Sequence, residues 1–100
     1  MKYAIRRNTI LRDWHDGIDK YQSLYGRYPD YVEINRATLE DVMHYLYQNK
    51  LYGLEFRRDN EYVRDRYGMT IAVYRQERIF FEGIEICIRN GLEKEVMRIW

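Results

Sequence analysis

The apolar residues of this chain change period along its length, and that change constrains the fold more than any other feature. Over residues 10–25, Ile10, Leu11, Trp14, Ile18, Tyr21 and Tyr25 recur at steps of three and four, which predicts one buried helix face. Asn8 or Thr9 stands where a side chain can accept from the first orphan amides. Gly17 interrupts the stripe at a cost of roughly 1 kcal/mol relative to alanine. Gly26 is a natural left-handed stop, and Pro29 prevents resumption. Residues 31–34 alternate instead, Val32 and Ile34 on one side and Tyr31 and Glu33 on the other, as in a half-buried strand. Helical spacing returns with Leu39, Val42, Met43, Leu46 and Tyr47, behind a Thr38/Asp41 pair that approximates a capping box, and it fades near Asn49 and Lys50. Ile84, Ile86 and Ile88 then alternate with Glu85 and Cys87 and predict the best-defined strand.

The remaining segments are read from turn chemistry and β-propensity. Tyr3, Ala4 and Ile5 form a short edge strand or an arm leading into the first helix. Residues 54–56 fit a short strand, and 57–66 an exposed loop or projecting hairpin. Residues 70–74 are β-rich, and the polar run 75–78 reads as a reversal before Ile79, Phe80 and Phe81. Gly83 marks a turn or bulge. Asn90-Gly91 is a preferred hairpin dipeptide, which favours a strand over 95–100, although Leu92, Val96 and Ile99 fit a helix almost as well. The sum is an α+β fold, two amphipathic helices packed on one face of a mostly antiparallel sheet, as a single domain over residues 1–100. Trp14, Ile18, Val32, Ile34, Leu39, Leu46, Ile84 and Ile86 are the expected core.

Composition removes several classes of function. The longest unbroken apolar run, residues 71–74, is far too short for a transmembrane helix, so no membrane partner is expected. No basic-then-apolar leader opens the sequence, and a lone Cys87 cannot form an intramolecular disulfide; both point to a reducing, cytoplasmic location. A net charge of +1 suits neither a nucleic-acid mimic nor a strongly basic binder.

Groups able to carry chemistry are few. Asp13, Asp16 and Asp19 share a helix face, but His15 points away from it, and a solvated surface accounts for them. Glu40 and His44, four residues apart, fit an ion pair or plain exposure, since zinc would need a third ligand that the spacing does not supply. Asp30 and Glu33 after Pro29 are too close together for a nuclease-type metal pair. Cys87 has no basic partner in any local motif, and Ser23 is the only serine. The glycines are too scattered to cradle a phosphate. No catalytic residue, metal or cofactor is expected, and the chain reads as a non-enzyme.

What stands out is arginine and tyrosine. Tyrosine supplies 11 of 16 aromatic residues, and both types are enriched where proteins bind macromolecules. Arg57, Arg58, Tyr62, Arg64, Arg66 and Tyr67 concentrate them in one segment, the candidate partner-binding site. Asp59, Glu61 and Asp65 nearly neutralise that segment, which favours a protein partner over a phosphate backbone. Tyr28 and Tyr31 beside Pro29 form a second aromatic patch, expected to pack on the first helix.

Pro29, Val32, Ile34, Asn35 and Leu39, followed later by Phe81, Gly83, Ile84 and Ile86, give the chain a familiar order. It resembles small uncharacterised accessory proteins of tailed phages, and the same run is similar to part of the peripheral domain of phage capsid proteins. The resemblance implies a phage or prophage accessory protein in the cytoplasm of a bacterial host. The expected function is a protein-binding module that inhibits or modulates a host protein, such as a nucleic-acid defence complex. One alternative is a virion or assembly component acting by self-association. Another is a nucleic-acid binder using Lys2, Arg6, Arg7 and Arg12 with the 57–66 segment.

Overall fold

The computed structural model describes the backbone of residues 1–100 and the side chains of all but 59–61 and 71–76. Among the described residues the elements run β1 (Lys2–Ala4), α1 (Ile10–Tyr25), β2 (Tyr31–Ile34), α2 (Arg36–Gln48), β3 (Leu54–Arg64), β4 (Thr70–Phe81), β5 (Ile84–Ile88) and β6 (Val96–Ile99). The strands form one sheet in the order β1-β6-β2-β5-β4-β3. Every neighbouring pair is antiparallel except β2 and β5, which run parallel with Val32 opposite Ile86. This is the expected α+β class.

The local signals set the helix ends, with two corrections. Gly26 closes α1 in the left-handed region (φ 68°), its N–H donating to the Gln22 carbonyl. At the other end Thr9 makes no side-chain cap, and its hydroxyl donates instead to Asp13 Oδ2 at 2.7 Å. Asp13 is therefore buried against the incoming chain, where it also accepts from the Arg6 amide, rather than lying on a solvated face. For α2 the cap is Asn35, whose side chain accepts from the Ala37 amide, and not Thr38. Thr38 is buried inside the helix, where it accepts from the Glu95 amide.

Val32, Ile34, Ile84, Ile86, Met97 and Ile99 turn to one face of the sheet and meet Trp14, Ile18, Leu39 and Leu46 from the helices. All eight expected core residues are buried. The stripe of α2 is narrower than its spacing suggested: Met43 and Tyr47 are exposed, Tyr47 by 84%. Gly17 has a packing reason. An added Cβ would lie 2.3 Å from Met97 Cε, so glycine lets α1 press close on β1 and β6.

Two further segments differ from the sequence expectation. Residues 75–78 make no reversal; they continue β4, and the turn lies at 65–69. The four polar residues suggest a turn, but the backbone pairing with β3 runs on through them. Asn90-Gly91 is not a hairpin turn either. The segment from 96 is a strand as favoured, but β6 pairs with β1 and β2, so the connection from β5 passes across β2. The real tight turn is Glu82-Gly83, with φ 50° and 81°, joining Phe81 to its partner Ile84.

Only 79–81 of β4 pair with β5, so beyond the Arg57–Arg78 pair β3 and β4 leave the sheet as a two-stranded arm. Eight residues of extended chain make it roughly 25 Å long. Extents of 53 × 33 × 26 Å and a radius of gyration of 16.5 Å record it; a compact chain of this length has about 13 Å.

Candidate functional site

The six residues singled out from the sequence all lie on the hairpin, yet the strand geometry divides them. Arg57 is at the base, on the face away from the helices. Its guanidinium grips Glu55 at 2.9 and 3.1 Å and stacks over Phe80, 4.0 Å from the ring centre. Arg58 points to the helix side by strand alternation. Tyr62, Arg64, Arg66 and Tyr67 occupy the distal part, Tyr62 63% and Tyr67 75% exposed, past a register shift between Glu61 and Tyr62. Such a shift adds twist and re-aims the strand.

The tip is built by Asp65. Its Oδ1 accepts from the Tyr67 and Met69 amides at 2.9 Å each, while Gly68 takes φ 80°. Part of the negative charge that neutralises this segment thus shapes the turn. Arg66 lies 5.1 Å over the Tyr67 ring, pairing the two best anchor types at the end of the arm.

The open sheet face holds a polar layer that residue patterns alone did not reveal. Glu33 is buried on it, accepting from Arg89 and from the Trp100 indole, with Arg98 at 3.9 Å. Burial alone would raise the Glu33 pKa, but those hydrogen bonds and the Arg89 and Arg98 charges outweigh it and hold it below the usual range. Tyr31 stacks beside Trp100 at 6.4 Å on the open face rather than packing on α1, while Tyr28, 65% exposed, borders α1 beside Trp14, Ile18 and Asp19. Arg78 holds Glu85 at 2.9 and 3.1 Å and lies over Phe80 from the other side. Neighbouring-strand side chains meet on one face at such spacings, but the partners had to be brought together by topology.

The other chemical candidates are dispersed. His15 pairs with Glu82 at 2.7 Å across the α1 surface, while Asp16 and Asp19 are exposed. Glu40 and His44 are both exposed. Cys87 lies half-buried on the open face; burial, then the neighbouring Glu85, pushes its thiol up and keeps it protonated. Among the described residues no group of three or more His, Cys, Asp or Glu side chains could hold a metal ion, and no helix is long and apolar enough to cross a membrane.

The buried carboxylates give a pH expectation. For Asp13, burial would raise the pKa, but the Arg6 amide, the Thr9 hydroxyl, and the Arg12 and Arg6 charges lower it overall. A carboxylate whose folded pKa is depressed contributes stability above its unfolded value, about 4, and loses that contribution as pH falls through the folded value. Urea midpoints should therefore drop below about pH 4. A Glu33→Gln and Asp13→Asn double variant should show a flatter profile over that range. An equally steep profile in the double variant would mean other carboxylates carry the dependence.

No protein-family model matches the chain, and neither a curated protein nor a solved structure does.

Proposed function

We propose that the chain is a non-catalytic binding module that docks on a partner protein through the β3–β4 hairpin. The carrying observation is that the arm leaves the sheet with Tyr62, Val63, Tyr67 and Met69 exposed by 40–75%. A two-stranded ribbon is marginal in water without a third layer or strand. A partner that covers it excludes water from the tyrosine and arginine anchors and pairs with open strand edges. The near-neutral charge of 57–66 supports a protein surface over a polyanion. The phage resemblance supplies the class of partner: a host protein that an accessory factor would inhibit or modulate.

A second reading, nucleic-acid binding, draws on the open face. There, among the described residues, Lys2, Arg57, Arg78, Arg89 and Arg98 outnumber Glu33, Glu55 and Glu85, with Tyr31 and Trp100 among them. Salt separates the two readings, because phosphate contacts weaken steeply between about 50 and 200 mM.

The experiment is capture from bacterial lysate with the intact chain and with a variant whose hairpin is cut back to a tight turn after Arg57. The intact chain is expected to retain a protein across that salt range, and the shortened one to lose it. Capture that survives the shortening, or that nuclease treatment abolishes, contradicts the proposal.

A further inference from the structure

The helices leave part of the sheet's helix-side face uncovered at β3. The uncovered strip lies beside α2. Leu54 and Phe56 pair with Phe81 and Ile79 and so face the helix side, yet Phe56 is 50% exposed. Next to them α2 turns Met43 and Tyr47 outward, and the connection to β3 adds Leu51 and Tyr52, all exposed. A groove of about 500 Å³ runs between α2 and this connection, within the range of pockets that seat ligands. Contiguous apolar surface of this kind marks an interaction site.

Its charge narrows the occupant. Among the described residues Lys50 is the one charged side chain lining the groove. Lys50 holds φ 53° just after the Asn49 cap, where the Leu51 amide reaches back to the Leu46 carbonyl at 2.9 Å. Glycine is the usual residue there, and any side chain destabilises the left-handed backbone. The position carries a cost to the fold and gains an ammonium at the groove rim.

We propose that the groove seats the apolar stripe of an amphipathic helix from the partner protein, with a carboxylate beside the stripe meeting Lys50. The partner helix would lie along the exposed side of α2, against Met43, Tyr47 and Tyr52, in the helix-in-groove mode. This rests on the protein-binding reading above and adds the element that the partner contributes.

The probe is a synthetic helical peptide of ~18 residues, about five turns, with one leucine stripe flanked by glutamates. Controls are the same composition with the stripe scrambled, and a lysine-flanked version. The full-length chain should bind the glutamate-flanked peptide and neither control, and Tyr47→Ala with Tyr52→Ala should weaken binding by at least ~10-fold. Lys50→Gly should raise the thermal midpoint while weakening that peptide roughly 5-fold. The distal-arm variant Tyr62→Ala/Arg64→Ala/Arg66→Ala should bind the peptide normally, even where it loses the captured partner. Equal binding of all three peptides, or of none, overturns the groove assignment and leaves the hairpin reading to its own test. So does a chain that is dimeric until Tyr47 and Tyr52 are replaced, which would make a second copy the occupant.

Discussion

Leu46→Ala should cost about 2–5 kcal/mol in urea titration, while Tyr47→Ala, one residue on, should stay within about 0.5 kcal/mol. Leu46 is 5% exposed and packs in the same cluster as Leu39 and Val42, so truncating it removes apolar contact and leaves a cavity. Tyr47 is 84% exposed and buries almost nothing in the isolated chain. The pair reports the rotation of α2 directly. Equal losses at the two sites would place Tyr47 in the core, as helical spacing alone suggested, and would close the groove beside it.

Gly17→Val should cost about 3 kcal/mol or more, at the upper end of overpacking changes. Its Cβ would collide with Met97 Cε at 2.3 Å and crowd Tyr3 and Ile99 at 3.1 and 3.2 Å. Met97 and Ile99 are fully buried and have little room to retreat. Gly17→Ala separates the competing effects: helix propensity favours alanine by about 1 kcal/mol, and the contact with Met97 opposes it. A net loss is expected. A gain approaching 1 kcal/mol would show that the Met97 side chain moves aside at little cost.

The elements that were legible in the sequence are those whose cause is local. The stripe of α1, the Gly26 stop, the alternation at β2 and β5 and the turn at Gly83 each depend on residues within a few positions. What stayed hidden depends on distant partners. Glu33 meets Arg89 and Trp100, 56 and 67 positions away, and Thr38 meets Glu95 across 57. Nothing near Glu33 in the chain distinguishes it from a solvent-facing strand residue. Residues 75–78 were hidden for another reason: all four are polar, so no alternation of apolar residues marks the strand, whose pairing with β3 runs on through them. The candidate site was legible as composition, an Arg- and Tyr-rich exposed segment. Its division was not, because Arg57 is held by Glu55 and Phe80 on the sheet while Tyr62, Arg64 and Arg66 extend beyond it.

The central claim is that the hairpin binds while the body folds without its help. The most direct measurement is a paired one on Arg58→Ala/Tyr62→Ala/Arg64→Ala/Arg66→Ala, reading stability by urea titration and affinity for the captured protein by calorimetry. All four side chains are exposed, so stability should change by no more than about 1 kcal/mol. Affinity should fall by at least ~2 kcal/mol, about 30-fold, the scale of a binding hot spot. Unchanged affinity in a folded variant, or a variant that no longer folds, would contradict the claim.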